Sequence, residues 1–276
     1  MTNSIGPSPD LASLLGQKSL NQTTSQLQTI ESQISTGLNI QTASDNPVIW
    51  NIAQGQNQAL DSLKAVSTSL SKAQSVLDVS VAAGQTVSDL LTQIKTKVLS
   101  GTDHQLDTAS LNALSSDVQS LLAQIKRTVD GASFNGVSLI QTSSTALQTL
   151  TDADTSSLTL QPQSLALGGP NVSLTLGSGF STTTQATSLL SLVNTSLTAV
   201  TGAVADLGSE SNALAAHQNL VSTFQDTLTA GVGGLVDADL AKDSASLSAL
   251  QVKQQLSIQS ISIANSTSST LLSLLR

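Results

Sequence analysis

Apolar residues recur every seven positions through most of the middle of this chain. From Leu63 one row runs Leu63, Leu70, Leu77, Gly84, Leu91 and Val98, and a companion row runs Val66, Ala73, Ser80, Val87 and Ile94. Rows spaced alternately three and four residues share one face of an α-helix, and about five heptads of them predict a coiled-coil-type helix. Gly84 in that seam allows a close approach at some cost in helix propensity. After the break "SGTDHQLD", a second helix carries Leu111, Val118 and Ile125 with Leu114 and Leu121 beside them. A third and longer seam runs Val193, Val200, Leu207, Leu214, Val221 and Leu228, flanked by Leu190, Leu197 and Val204. Its companion row turns polar at Ser211, Gln218 and Gln225. Such stripes form the core of a helical bundle.

Between the helical blocks the period falls to two. "FNGVSLI" (134–140), "SLTLQ" (157–161) and "SLALGGPNVSLTLG" (164–177) alternate apolar residues with Ser, Thr or Asn, punctuated by Gly and Pro. That pattern predicts a short strand-and-hairpin excursion. Both ends of the chain carry helices of their own. Near the start, Leu20, Leu27 and Ile34 are seven apart, with Ile30 and Leu38 on the same side. Near the end one face holds Val236, Leu240, Leu247, Leu250, Ile258, Ile261 and Leu272, while the opposite face holds Ala245, Ala249, Val252, Leu256, Ile263 and Leu274. A helix apolar on two faces is not satisfied by one neighbour. Two Gly- or Pro-containing joints, 42–56 and 229–240, set the ends off from the middle. The expected architecture is mainly α: a nested antiparallel bundle of long coiled-coil helices, with the chain ends paired and a small β-hairpin region capping the far tip. Residues 1–45 with 232–276 form an inner domain, and 46–231 form an outer domain with its β region at about 134–180.

Composition narrows the function. Aromatic residues are 1% of the chain, three Phe and one Trp with no Tyr, which suits helix-on-helix packing better than a small-molecule pocket. There is no cysteine, so disulfides and thiolate metal sites are excluded. A net charge of -8 with scattered Lys and Arg argues against nucleic-acid binding. No stretch approaches the roughly 18 apolar residues of a membrane span, and no basic-then-apolar secretory leader is visible. His104 and His217 stand alone, outside any metal-ligand spacing. Asp152 and Asp154 resemble half a calcium loop, but Ser157 and Gln163 stand where its Gly and Glu belong. Asp237 and Asp239 favour the start of the last helix through its dipole, and Trp50, after Pro47, anchors a bent joint. No catalytic constellation and no cofactor site emerge.

The last residues, "STSSTLLSLLR", place Leu271, Leu272, Leu274 and Leu275 beside Arg276. Burying four leucines gains at most on the order of 6–12 kcal/mol. Ordering eight residues costs roughly 1–2 kcal/mol each for the backbone, a similar amount. The expectation is a segment that folds only between several copies, with Arg276 at its polar end.

Together these ends resemble bacterial flagellin. The resemblance rests on "QISTGLNIQTASDNPVIW" (33–50) with Ser35, Gly37, Leu38, Ala43 and Asp45, and on "VDGASFNGVSLI" (129–140) with Phe134, Asn135 and Gly136. It is closest over 237–276, with Ala241, Gln254, Gln255, Ala264, Asn265 and the terminal Leu-Ser-Leu-Leu-Arg. The resemblance implies a secreted subunit that polymerises with other copies, and with other flagellins, into the extracellular filament used for swimming. It also implies an export apparatus, an export chaperone and a filament cap as partners. The implied assembly core is Leu20, Leu27, Ile30, Ile34, Leu38, Leu240, Leu247, Leu250, Val252, Leu256, Ile258, Ile261, Ile263, Leu271, Leu272, Leu274, Leu275 and Arg276. The alternatives are a hook–filament junction protein, whose ends resemble those of flagellin, and a secreted coiled-coil adhesin or effector.

Overall fold

The computed structural model describes residues 9–152 and 156–274. Its elements are α1 (Pro9–Thr36), α2 (Pro47–Ser100), α3 (Thr108–Gly131), β1 (Leu147–Leu150), β2 (Ser157–Leu160), α4 (Thr183–Val236) and α5 (Leu240–Leu274). Local chemistry sets the helix ends. The Asn46 side chain accepts from the Val48 and Ile49 amides at 3.2 Å, and Pro47 takes the first helical position, where its missing N–H costs nothing. Asp107 caps α3, accepting from the Ser110 amide at 2.9 Å. Hydrogen bonds from Ser110 hold that carboxyl below its ordinary value. The chain divides into two compact units, a terminal one of residues 1–58 and 228–276 and a middle one of 59–227.

In the middle unit both rows of the α2 seam are inside. Leu70, Leu77, Val87, Leu91, Ile94 and Val98 are fully enclosed, and Leu63, Val66, Ala73 and Ser80 are buried with them. From α4, Val193, Val200, Leu207, Leu214 and Val221 are buried. The two helices run antiparallel: Gln74 donates to Ser211 Oγ at 2.7 Å, and a Cβ on Gly84 would stand 2.6 Å from Val204 Cγ2. Gly84 is therefore the close approach its seam position called for. The polar companion row of α4 is explained in part by the same Gln74–Ser211 bond.

The companion rows of α3 and α4 are rotated by one residue from expectation. Leu114 and Leu121 are half-buried, and Ser115 and Leu122 take their place inside; Leu190, Leu197 and Val204 are half-buried, and Leu189, Ser196 and Ala203 replace them. The cause is the irregular segment 161–182. Ser115 Oγ accepts from the Phe180 amide at 3.1 Å, and Ser196 Oγ accepts from the Ser173 amide at 3.2 Å. Ser115 satisfies the amide of the buried Phe180, which would otherwise be orphaned, and an apolar pattern cannot announce such a partner.

The β region is smaller than expected and elsewhere. β1 and β2 pair antiparallel, Leu147 opposite Leu160 and Leu150 opposite Ser157, so the 157–161 strand is present. The 164–177 stretch is not strand. It is turns and irregular chain with Leu165, Val172 and Leu174 fully buried, so its alternation records one-sided burial without a ladder. "FNGVSLI" forms a two-residue turn, with Phe134 and Val137 exchanging amide bonds of 2.9 and 3.0 Å around Asn135 (φ 51°) and Gly136 (φ 79°). Positive φ at both positions is what Asn-Gly supplies. Nor do the strands cap the far tip. Thr149 Oγ1 lies 3.1 Å from Ser69 Oγ, and the following chain then climbs α2, passing Gly84 with Leu165. Phe180 closes the tip, where a Cβ on Gly101 would lie 2.7 Å from its Cζ.

One further expectation changes. α4 holds an 18-residue window of mean hydropathy 1.4, long and apolar enough to cross a membrane by length and composition. Val, Leu and Ala on every face raise that mean, whereas only the seam stripe faces α2.

Candidate assembly surface

The terminal unit is built around the joint between α1 and α2. Gly37 (φ 72°) ends α1 in the left-handed conformation, its amide donating to Gln33 O at 2.8 Å, as glycine permits without strain. The chain then pairs with the far end of the sequence. The Asn39 amide donates to Val236 O at 2.7 Å and the Ala238 amide to Gly37 O at 2.9 Å, with Leu38 bridged to Asp237. Ile40, Ala53 and Val236 are buried here, with Leu38, Ile49, Trp50, Val232 and Leu235 packed against them. Trp50 is thus the joint anchor its position suggested. Asp45 tightens the turn, its carboxylate accepting from the Gln41 and Thr42 amides at 3.0 and 2.9 Å. The backbone bond from Thr42, then that from Gln41, holds the Asp45 carboxyl below its ordinary value.

Of the two acids assigned to the start of the last helix, Asp239 does the capping. Its carboxylate accepts from the Ala241 and Lys242 amides at 3.1 Å. Asp237 instead lies beside Gly233, its own amide donating to Gly233 O at 2.9 Å. The expected 229–240 joint is also shorter, because α4 stays helical through Val236 despite Gly231, Gly233 and Gly234.

α5 then returns antiparallel along α1. A Cβ on Gly16 would stand 2.7 Å from Ile261 Cγ1. Leu27 is buried, and Leu20, Ile30, Ile34, Leu38, Leu247, Leu250 and Ile261 are half-buried. The rest of the expected set is not enclosed by this pairing. Leu240 is 49% exposed, Val252 57%, Leu256 59%, Ile258 53% and Ile263 61%, and on α1 Leu14 and Leu15 are 66% and 58% exposed. Leu271, Leu272 and Leu274 fall in the last turn of α5, but their side chains, with Leu275 and Arg276, lie outside the described residues. The sequence reading missed Gly16 and the buried Thr23. Both were available by counting back in sevens from Ile30, through positions 23 and 16.

Paired chain ends and an open apolar helix face are the features of a self-assembling structural protein. The comparisons agree. The description "Bacterial flagellin N-terminal helical region" matches residues 9–145, and "Bacterial flagellin C-terminal helical region" matches 190–275. The chain is 44% identical over 263 residues to Flagellin FljO of Caulobacter vibrioides, covering 95% of this chain and 96% of that one. It is 30% identical over 275 residues to a flagellin of Brucella melitensis, covering 96% and 97%. Among solved structures, a putative flagellar hook-associated protein from Vibrio parahaemolyticus superposes with a TM-score of 0.59 at 12% identity, over 70% of this chain and all of that one. That likeness shows a shared fold. The chain belongs to the bacterial flagellin family. It is a structural subunit of the extracellular flagellar filament, and the family implies swimming motility as its purpose.

Proposed function

We propose that residues 1–45 and 232–276 are the polymerising part of this subunit and that they order on assembly. The observation behind the reading is the second face of α5. Val252, Leu256 and Ile263 are more than half exposed on the side away from the α1 contacts of Leu247, Leu250 and Ile261. Large aliphatic side chains left in water on a helix face gain roughly 1.5–3 kcal/mol each when covered, and other copies of the chain supply the cover. Contacts of this kind are heterologous and do not close into a ring, so they build a helical fibre. The assembly set is therefore the α1 and α5 residues already named, with Leu271, Leu272, Leu274, Leu275 and Arg276 completing it.

Export through the flagellar apparatus, escort by a chaperone and insertion beneath a filament cap fit the same reading, because a chain without disulfides can be threaded unfolded. The subunit has a structural role and no catalytic one. Limited proteolysis of freshly depolymerised subunit tests the coupled ordering. Cleavage is expected within 1–40 and 236–276, with 60–221 resistant, and protection of both ends in the free subunit sinks the idea.

A further inference from the structure

We infer that α2 and α4 carry a paired bending joint, residues 54–59 of one and 222–235 of the other, within continuous helix. Four observations meet there. First, the burial pattern stops. Through the middle unit α4 places a buried residue inside every three to seven positions, yet none lies between Val221 and Val236; α2 has none between Ala53 and Leu60. Second, glycine concentrates in the gap. Gly55 lies in α2, and Gly231, Gly233 and Gly234 lie in α4, each less favourable than Ala in a helix interior.

Third, packing does not explain most of these glycines. A Cβ on Gly55 or Gly234 would meet nothing within 4 Å, and one on Gly231 would meet only Gln56 Oε1 at 3.6 Å. Gly233 alone has a crowded neighbour, Asp237 Oδ2 at 2.7 Å. Gly202 and Gly208 are equally open, but they sit among the buried Val200, Ala203 and Leu207, which hold that stretch of α4 down. Fourth, Gln56 Oε1 is buried without a hydrogen-bond partner, a state that packed helix pairs avoid.

Helix without a fully buried side chain and with weak propensity opens locally at low free energy, even where Val232 and Leu235 rest half-buried against the Ile40–Ala53–Val236 cluster. Segments 54–59 and 222–235 are therefore where both helices lose and regain their hydrogen bonds together, while the helix on either side stays closed. This local opening does not rest on the polymerising role proposed above.

Amide hydrogen exchange read by mass spectrometry tests it in assembled filaments, with electron microscopy scoring polymerisation separately. Peptides covering 54–59 and 222–235 are expected to exchange at least tenfold faster than both 63–77 and 20–34. The variant G55A/G231A/G234A is expected to slow them at least tenfold and leave 63–77 unchanged. Equal protection across all these peptides overturns the joint. So does fast exchange that continues through 20–34 and 240–262, which is fraying, and so does a gap that becomes the best-protected region on assembly, which marks a contact between copies. If no filament forms, the same peptides are compared in the free chain against 63–77 and 193–214, and the G55A/G231A/G234A arm decides.

Discussion

The α2/α4 pair and the α1/α5 pair use the same three-four spacing and reach different outcomes. In the first, Leu70, Leu77, Leu91 and Ile94 meet Val193, Val200, Leu207 and Leu214, and every one is buried to its last few per cent. In the second, the α1 row includes Gly16 and Thr23, and the α5 row includes Asp243, Gln254 and Ser257 alongside Leu247, Leu250 and Ile261. Among the described residues of that pairing only Leu27 and Thr23 are buried. Periodicity says which face of a helix turns inward, whereas the size and polarity of the residues on it decide whether one partner is enough. The middle unit is a finished core. The terminal unit holds together at its joint, around Trp50, and keeps apolar surface in reserve.

Substitutions can break this contrast. Leu77→Ala in the finished core is expected to cost about 2–5 kcal/mol, read as a lower denaturant midpoint for the middle unit. Leu256→Ala on the open face is expected to change the free subunit by less than about 0.5 kcal/mol while raising the concentration needed for polymerisation. Equal effects of the two in the free chain would mean that α5 is already enclosed.

Gly84→Val comes next, at about 1–3 kcal/mol for overpacking, since its Cβ would press on Val204. Trimming Val204→Ala in the same chain should recover most of the loss. Ionic strength acts on the open surface more than on the core. With -8 per subunit, like-charge repulsion accumulates along a polymer and salt screens it, so turbidity should rise from low to physiological salt.

The smallest effect belongs to Glu210. Burial pushes its carboxyl up, aided by the charge of Asp206, against a hydrogen bond from the Gln161 amide. The folded chain thus holds this proton more tightly than the unfolded one. Glu210 costs stability at neutral pH, and the cost disappears as pH falls through its raised value toward 4.5. Glu210→Gln is expected to melt slightly higher at pH 7 and to match the parent below pH 4. The three ion pairs among the described residues, Lys64–Asp61, Lys97–Asp117 and Lys126–Asp130, are all exposed and should be near-silent when removed.

The long helices, their antiparallel pairing and both outer-bundle seams were legible from Leu63, Leu70, Leu77, Leu91 and Val98 and from Val193, Val200, Leu207, Leu214 and Val221. The α1/α5 pairing was legible too, because Leu20, Leu27 and Ile34 keep the same count. What escaped was carried by polar or missing side chains. Ser115 and Ser196 are inside because they serve the backbone of 161–182, and Gly16 and Gly101 matter for the atoms they lack. Alternation in 164–177 read as strand because one-sided burial and a β-ladder leave the same period-two trace.

Sequence alone determined that this chain makes long amphipathic helices, that its ends belong together and that its last helix is apolar on two sides, since heptad spacing and side-chain type are local properties. Only the tertiary structure decided which of those faces finds a partner within the chain. Burial depends on what stands opposite, and among the described residues α5 has one helix for two faces.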